Sequence, residues 1–446
     1  MPTASQVLGT FAAGLRFEDI PPAVVERAKD CIIDTVAAAT FGAQFPWSRM
    51  VVDYACRYGS GGPCSIIGSP GLHVHAPYAA LANGVLAHAY EQDSVRDPGM
   101  GTHPGSALLP ALLAACEESG ADGRSAVAAF VAGCEVMFRI AHATHHSPEK
   151  LGFHSPGLTG TYGAAVAAGR VFALDARQLV NAIGIAGSLS SGLLAFTKSE
   201  HGAMIKRLHL GRASESGILA ARLALDGYTG PETVLEGKFG FLDAYCNAAD
   251  CDPKLLTAEL GKTWETSLIC MKRYACHINA HTPMQALREL MAEHAFQGAD
   301  VAHVRVEGSA RLLSHHNITE PADIMKAQYS VPFCVALALF RDPDDPRSFD
   351  AAALDDPAIR AACRELELRT FKEGAESVRS SRVTVRLKDG REFARARDTY
   401  KGTPREPLSR AELRRKFMLL TAGDAAAAQL FERLERIDTA PRFALA

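Results

Sequence analysis

The sequence predicts a mostly α fold. A large all-helical domain is expected in two pieces, residues 1–267 and 405–446, around a smaller α+β domain at residues 268–404. Three observations predict this arrangement. Apolar residues recur at helical spacing through the first 265 or so residues, strand-like alternation appears after that, and helical spacing returns from about residue 408. A chain of 446 residues also exceeds the usual size of a single core.

The helices of the first part are predicted from apolar periodicity and from their end signals. Pro22 lies where the first turn of the second helix is expected, and Gly42 marks its end. Alanine and glycine dominate the apolar faces of these segments, which lets helices pack at short separation. The predicted helices are 5–16, 22–43, 78–90, 106–119, 124–143, 159–173, 176–187 and 212–227.

The second part mixes strands and helices. Residues 302–308 alternate apolar and polar side chains, as a half-buried strand does. Residues 378–387 and the following REFARARD are separated by Asp389-Gly390, which predicts a β-hairpin. Further helices are predicted at 283–295, 328–341 and 357–365. After residue 408 helical patterns return, and Ser409 with Glu412 forms a capping-box pattern, so the C-terminus is expected to rejoin the first domain.

Composition and charge narrow the possible partners and the compartment. The formal net charge is -3, which argues against nucleic acid or an anionic membrane as the main partner. The eleven cysteines are scattered without a C-x-x-C pair, so they are expected to be buried thiols in a reducing compartment. The most apolar stretches, such as 127–138, are shorter than a bilayer requires, and there is no secretion-signal pattern. We therefore expect a cytoplasmic protein.

A basic stretch at 202–217, GAMIKRLHLGRASESG, concentrates cations within seven positions. Lys206, Arg207, His209 and Arg212 repel one another when held close together, which is tolerated where an anion binds. Gly211 permits close approach of the backbone, and a helix expected to start just after it offers unpaired N–H groups. The stretch predicts either a pocket for a carboxylate-rich or phosphorylated small molecule or a solvated basic helix start.

Histidines in Gly/Pro-rich loops form further candidate sites. His103 lies in GMGTHPG and His154 in KLGFHSPG, and each precedes a predicted helix. Residues 272–283, KRYACHINAHTP, add Lys272 and His277. Most histidines are structural or superficial, but loops held by rigid helices often carry catalytic groups, and imidazole exchanges protons near neutral pH. The stretch 87–97 adds carboxylates that could orient an imidazole, although some are expected to be solvated.

Other chemistries have weaker support in the sequence. His142, His145, His146 and His154 lie close together along the chain, but the zinc patterns H-E-x-x-H and paired cysteines are missing. The sequence therefore predicts no metal site. No nucleotide-binding glycine motif occurs either, so no nucleotide cofactor is expected. Cys276, beside a histidine, offers a weakly supported thiol nucleophile.

The motifs ALANGVLAHAYEQDS, THPGSALLPALLA, GFHSPGLTGTYGAAVAAGRVFALD, GAMIKRLHLGRASESG, KRYACHINAH and QYSVPF occur in an order that resembles the MmgE/PrpD family. That family includes 2-methylcitrate dehydratase, cis-aconitate decarboxylase and iminodisuccinate epimerase. The resemblance covers nearly the whole chain. It implies a cofactor-free homodimeric enzyme whose discontinuous helical domain carries a smaller α+β lid, with the site between the two. The family's site aspartate, histidines and lysine fall here on Glu91, His103, His154, Lys206 and His277.

Two departures from the family pattern bear on the substrate. Where the family commonly has Asp-aromatic-Asp-Asp, this chain reads Glu91-Gln92-Asp93-Ser94, followed by an apparent two-residue insertion. A family tyrosine falls on Phe333, with Tyr329 nearby. Both changes leave room for a di- or tricarboxylate other than those of the named family members.

The resulting hypothesis is proton transfer at a carbon next to a carboxylate, with cations stabilising the developing charge. Lys206 would hold the carboxylate, His103 and His154 would be the acid and base, and Glu91 or Asp93 would orient an imidazole. Other groups would bind substrate or close the site from the lid: Arg207, His209, Lys272, His277 and Tyr329.

The leading interpretation is a hydro-lyase similar to 2-methylcitrate dehydratase. The alternatives are an epimerase or racemase of an (imino)dicarboxylate, a cis-aconitate-type decarboxylase and, less favoured, a non-catalytic carboxylate-binding protein.

Overall fold

A computed structural model describes residues 2–99, 101–199, 203–371 and 379–445. Within these ranges the protein is mostly helical, as the sequence predicts. Gly202, the first residue of the basic stretch, and Val378, the first residue of the predicted hairpin, lie outside the described residues. The helices up to residue 245 are α1 (Ala4–Gly14), α2 (Pro22–Gly42), α3 (Pro46–Gly59), α4 (Ala76–Ala87), α5 (Pro104–Ser119), α6 (Gly123–Ala143), α7 (Ser147–Lys150), α8 (Ser155–Val171), α9 (Ala176–Leu189), α10 (Ile205–Leu225) and α11 (Phe241–Tyr245).

The later helices accompany a small sheet and then the C-terminus. They are α12 (His281–His294), α13 (Ala310–His316), α14 (Ile324–Ala327), α15 (Val331–Phe340), α16 (Ala351–Asp355), α17 (Pro357–Glu365), α18 (Arg410–Leu420) and α19 (Ala425–Glu435). The strands are β1 (Ser60–Ser65), β2 (His73–Val74), β3 (Val95–Arg96), β4 (Ile269–Cys270), β5 (Val301–Gly308), β6 (Glu367–Thr370), β7 (Ser381–Leu387) and β8 (Glu392–Arg397).

The helical core is built from tightly packed, alanine-rich helices. α10 packs against α4, α8 and α5, and α8 also packs against α6. α4 and α10 approach each other closely, because a Cβ added to Gly211 would lie 2.4 Å from the carbonyl oxygen of Leu81. A Cβ added to Gly84 would lie 2.7 Å from the Cα of Gly211. Small residues therefore set the separation of these two helices.

The predicted start of a helix after Gly211 is wrong. α10 begins six residues earlier, at Ile205, so Gly211 lies in the helix interior and brings it against α4 instead of opening it. The segment from Ile205 to Leu210 contains lysine, arginine and leucine, which have high helix propensity, and packing against α4 compensates for an interior glycine. The charged residues before Gly211 are thus on the first turns of the helix.

The four-stranded sheet has the order β6-β5-β7-β8. β5 pairs parallel with β6 and antiparallel with β7, and β7 pairs antiparallel with β8. The predicted hairpin is confirmed, and Gly390 in its turn has φ +90°, a conformation that favours glycine. α12 packs against β7 and β8, and α15 packs against α12 and α17.

The C-terminal helices return to the first part of the chain, where α18 and α19 both pack against α2. The capping box at Ser409 and Glu412 is present: the backbone N–H of Ser409 donates to Glu412 Oε2 at 2.7 Å. The domain boundaries at 267 and 405 remain a prediction.

Several details differ from the sequence prediction. α3 is a helix that the sequence does not predict. Two short antiparallel pairs, β1–β2 and β3–β4, interrupt the part predicted as all-helical or lie at its end. Glycines and a proline in the β1 region mask any strand periodicity. α8 begins at Ser155, immediately after His154, and α15 begins at Val331, three residues later than predicted. The β3–β4 pair brings the loop after residue 90 beside the segment 269–277, which positions the site described below.

One described helix, α6, is long and apolar enough by length and composition to cross a membrane. It is longer than the apolar stretch 127–138 suggested, and 94% of its most apolar window is buried inside the protein. Core helices of this kind satisfy the same criteria.

Candidate functional site

A cavity of about 980 Å³ collects most of the residues that the sequence singles out. Its wall includes Glu91, His103, His154, Lys206, Arg207, Lys272, His277 and Tyr329. The two remaining predicted residues, Asp93 and His209, lie behind the wall and contact His103 and His154, respectively. Loops that are far apart in the chain therefore converge on one space.

Three helix starts meet at this cavity. His103 and His154 occupy the positions just before α5 and α8, and Lys206 lies in the first turn of α10. Proline in the first turn of α5 and α8 favours these starts. The positive ends of three helices thus face the cavity. The sequence predicts one of these helix starts after Gly211, but the structure places it before Lys206.

Glu91 lies between two lysines. Lys272 Nζ donates to Glu91 Oε2 at 2.6 Å, and Lys206 Nζ donates to Glu91 Oε1. Lys272 Nζ is also 3.9 Å from Asp93 Oδ1. Burial alone would raise the pKa of Glu91, but the two lysines outweigh it and hold the pKa well below its ordinary value. Glu91 is therefore a permanent counter-charge and cannot serve as a proton donor near neutral pH.

The backbone at Glu91 is unusual, because its φ is +56° without a glycine. Such a conformation costs of order 1–3 kcal/mol and is concentrated at functional sites. The pairing with two lysines from distant parts of the chain offsets that cost. A buried lysine pair held by one carboxylate is the result.

Asp93 organises a cluster of imidazoles. Its Oδ2 accepts hydrogen bonds from His88 Nδ1 at 2.8 Å and from Ser106 Oγ at 2.7 Å, and lies 2.9 Å from His103 Nδ1. Burial favours a raised pKa for Asp93, but the contacts with His103 and His88 prevail and hold its pKa well below the ordinary value. The sequence leaves open whether Glu91 or Asp93 orients an imidazole. In the structure Asp93 contacts the imidazoles, and Glu91 binds the two lysines.

His88 is completely buried at the side chain, and burial lowers its pKa to about 3 although Asp93 opposes the change. It is thus a neutral donor to Asp93 at physiological pH. His103, in contrast, lies in the cavity wall. With Nδ1 facing Asp93, the other ring nitrogen of His103 is left to exchange a proton with a bound molecule.

His154 and His209 form a second imidazole pair. Their Nδ1 atoms are 2.9 Å apart, so one ring donates a proton and the other accepts it. Burial and the charge of Lys206 lower the pKa of both rings. A neutral His154 in the cavity wall, supported from behind by His209, is the consequence.

The opposite wall comes from the predicted lid. His277 accepts a hydrogen bond at Nδ1 from the backbone N–H of Asn279 at 3.3 Å, which leaves its Nε2 as the protonated nitrogen. Its ring centroid is 4.2 Å from that of His316 and 5.1 Å from that of Tyr329. Burial, followed by the neighbouring His316, keeps the pKa of His277 well below its ordinary value. Tyr329 also lies under Lys206, whose Nζ is 5.1 Å from the tyrosine ring centroid.

Arg207 was predicted to bind substrate, and the structure shows mainly contacts with protein. Its guanidinium donates to the carbonyl of Ala89 at 2.8 Å, contacts Met325 Sδ at 2.7 Å and packs over Trp47. These contacts hold the chain two residues before Glu91. Arg207 therefore shapes the site, while part of its surface still lines the cavity.

Two residues that support the site, His88 and Arg379, are not predicted from the sequence. His88 lies in the AHAYEQD stretch, but its spacing to Asp93 is not a recognisable motif. Arg379 lies two residues before β7 and contacts Asp97 at 2.9 Å and Asn279 at 2.5 Å, so it joins the two sides of the cavity. No sequence pattern indicates a contact across 282 residues.

The histidines at 142, 145, 146 and 154, which the sequence offers as metal ligands, do not form a group of possible ligands among the described residues. Among the described residues, the set able to approach a metal is His88, Asp93 and His103, with ligand atoms within 4.8 Å of one another. In this set Asp93 Oδ2 is already shared by two imidazoles and a hydroxyl.

Comparisons with known proteins match the sequence to one family over most of the chain. The MmgE/PrpD N-terminal domain matches residues 6–254, and the MmgE/PrpD C-terminal domain matches residues 274–438. The chain is 28% identical to a cis-aconitate decarboxylase of Homo sapiens over 93% of this chain and 86% of that protein. It is also 28% identical to a cis-aconitate decarboxylase of Aspergillus terreus, over 92% and 87%, respectively. A third relative, the cis-aconitate decarboxylase of Mus musculus, is 27% identical over 91% of this chain and 84% of its own.

Proposed function

The chain belongs to the MmgE/PrpD family, and we propose that it is a lyase that acts on a small tricarboxylate with its own side chains as acid, base and anion-binding groups. Among the lyase reactions, decarboxylation of an acid similar to cis-aconitate is favoured. The names of the relatives, which align over more than 90% of this chain, support that choice.

The observation that carries the proposal is the His103–Asp93 pair beside the Glu91-bridged lysines. An imidazole fixed by a buried carboxylate exchanges protons through its other nitrogen, and general acid–base transfer contributes on the order of 10²–10⁴-fold. The Nδ1 to Oδ2 distance of 2.9 Å sets this orientation. Lys206 and Lys272 lie in the same cavity wall and can stabilise negative charge as it develops.

Decarboxylation of an unsaturated tricarboxylate needs one proton and a place for the departing carboxylate. The carbon–carbon bond to that carboxylate breaks and supplies the electrons of a new double bond, while the old double bond shifts its electrons to its far carbon. That carbon takes a proton, which we assign to His103. Carbon dioxide leaves as a neutral molecule, so the carboxylate that departs is best placed away from the lysines.

Dehydration is the second candidate, because a second imidazole, that of His154, lies in the cavity wall. His154, supported by His209, is suited to donate or accept a proton on another side of the substrate. A hydroxy-tricarboxylate would then lose the proton next to a carboxylate to one imidazole and its hydroxyl, as water, with help from the other. The same pair would serve an epimerase, which returns the proton to the opposite face and forms no alkene.

The experiment is a substrate panel followed by proton NMR in deuterated water. Cis-aconitate, citrate, 2-methylcitrate and an aminodicarboxylate are incubated with the purified protein. Release of carbon dioxide with a new methylene signal indicates decarboxylation, loss of water with a new vinyl signal indicates dehydration, and exchange without an alkene indicates epimerisation.

Binding without turnover would contradict a catalytic role. In that case the melting temperature would rise with a polycarboxylate while every substrate remained unchanged, as expected for a carboxylate-binding protein. Turnover restricted to compounds without a carboxylate would contradict the substrate class.

A further inference from the structure

A lysine outside the cavity wall connects the two loops that carry the lysine–glutamate bridge. Lys416 lies on α18, and its side chain is 10% exposed. Its Nζ donates to Asp34 Oδ1 at 2.6 Å, to the carbonyl of Gln92 at 3.0 Å and to the carbonyl of Lys272 at 2.6 Å. An ammonium has three protons to donate, and all three have an acceptor here.

The two carbonyls belong to the segments that carry the Glu91–Lys272 ion pair. Gln92 separates Glu91 from Asp93, so its carbonyl fixes the peptide between the counter-charge of the lysines and the partner of His103. Lys272 is itself the lysine that binds Glu91 Oε2. One ammonium therefore holds the backbone of Lys272 and the backbone of the residue next to Glu91, so a shift of either segment would change the geometry of the Glu91–Lys272 ion pair.

The third acceptor anchors the ammonium to α2. Asp34 is fully buried, and burial raises the pKa of its carboxyl while Lys416 opposes the rise. Hydrogen bonds between an ammonium and a carboxylate are short and strong, as the 2.6 Å distance indicates. The helix that carries Lys416 also packs on α2, so the clamp is attached to a rigid base.

We propose that Lys416 is a positioning residue that sets the distance between the loop bearing Glu91 and Asp93 and the segment bearing Lys272. The inference rests on the proposed function for its effect on turnover, but the geometry makes a prediction that needs no substrate. Lys416 does not line the cavity, so it acts through the two carbonyls that it binds.

The test combines Lys416→Met with Asp34→Asn/Lys416→Met. Methionine keeps the length and removes the ammonium, and the double variant also removes the buried carboxylate that would otherwise be left without its cation. Lys29→Met is a matched control: Lys29 also ties α2 to the C-terminal segment, through Asp438 at 3.0 Å, and pairs within α2 with Glu26 at 2.9 Å. It contacts neither site loop.

Misplacement of catalytic groups by about 1 Å can cost 10²-fold, so we expect kcat to fall by roughly 10- to 100-fold in the double variant. KM should change much less, because the groups that bind substrate are retained. Lys29→Met should keep the wild-type kcat. In hydrogen–deuterium exchange, segments 88–96 and 269–276 should take up deuterium faster in the double variant and not in Lys29→Met.

Two results would overturn the proposal. Wild-type kcat in the double variant would show that Lys416 only neutralises Asp34, and unchanged exchange in both loop segments would show that the loops do not depend on it. If the wild-type protein turned over no polycarboxylate, the proposed function would fail, and the exchange measurement would still decide whether the clamp exists.

Discussion

Replacement of Asp93 by asparagine should separate the role of the imidazole cluster from that of the lysines. The Oδ2 atom of Asp93 contacts three groups: His88 at 2.8 Å, Ser106 at 2.7 Å and His103 at 2.9 Å. An amide has nearly the same shape but carries no charge. The substitution therefore weakens all three contacts without removing a side chain from the cavity wall.

The expected magnitude follows from those contacts. A hydrogen bond to a charged group contributes about 1.5–3 kcal/mol, against about 0.5–1.5 kcal/mol for a neutral one. The difference is about 1 kcal/mol per contact, or about 3 kcal/mol for three. If most of it is expressed in the transition state, at about 1.4 kcal/mol per decade, kcat falls roughly 10²-fold. KM should stay close to the wild-type value, since Asp93 lies behind the wall.

The assay is the initial rate at saturating substrate, with the melting temperature measured in parallel by circular dichroism. Asp19→Asn provides a control, because Asp19 pairs with Arg16 on the surface, far from the cavity in the chain. A kcat for Asp93→Asn within about threefold of wild type, less than half a decade in rate, would refute the assignment of His103 and Asp93 as the proton-transfer pair.

Three further substitutions test the lysine bridge and the helix packing. Lys206→Met should lower kcat/KM by about 10²–10³-fold in the same assay, the usual loss when one charge-stabilising donor is removed. Glu91→Gln should destabilise the protein by about 3–5 kcal/mol at pH 7 in urea unfolding, because two buried ammonium groups lose their shared carboxylate. The folded-state pKa of Glu91 is depressed, so its stabilisation is complete above the unfolded-state pKa of about 4.3 and is lost as the pH falls below that value. The difference in unfolding free energy between Glu91→Gln and wild type should therefore shrink in acid. A difference that stays constant with pH would contradict the ion pair. Gly211→Val should lower stability by about 1–3 kcal/mol or more, since its Cβ would lie 2.4 Å from the carbonyl oxygen of Leu81, and an unchanged melting temperature would refute that contact.

Much of the fold is recoverable from local patterns. Helix periodicity, the proline at Pro22 and the capping box at Ser409 act within a few residues, so the sequence predicts them well. Gly211 shows the limit of such patterns. Glycine indicates close approach of the backbone, but only the packing shows that the neighbour is α4 and not a bound anion.

The sequence predicts which residues form the candidate site, but not which of them form hydrogen bonds and ion pairs with one another. The resemblance and the Gly/Pro-rich loops single out His103, His154 and Lys206, and the structure brings them to one cavity. The roles of Glu91 and Asp93 depend on which cation reaches which carboxylate. The lysines that Glu91 binds lie 115 and 181 positions away in the chain, which no local spacing encodes.

Buried supporting residues were the hardest to identify. His88 acts through Asp93, and Lys416 contacts two backbone carbonyls whose identity leaves no trace in the sequence. A lysine in a basic amphipathic helix resembles a solvated surface residue. Its burial follows only from the packing of α18 on α2.

Turnover of cis-aconitate in deuterated water, followed by proton NMR for wild type and His103→Asn, tests the proposed proton transfer most directly. Wild type should release carbon dioxide and place one deuterium on the carbon that gains a hydrogen, and His103→Asn should lose at least about 10²-fold in rate, the lower end for general acid–base transfer. Wild-type rates and labelling in the His103 variant would contradict the assignment, and no turnover by wild type of any tricarboxylate would contradict the function itself.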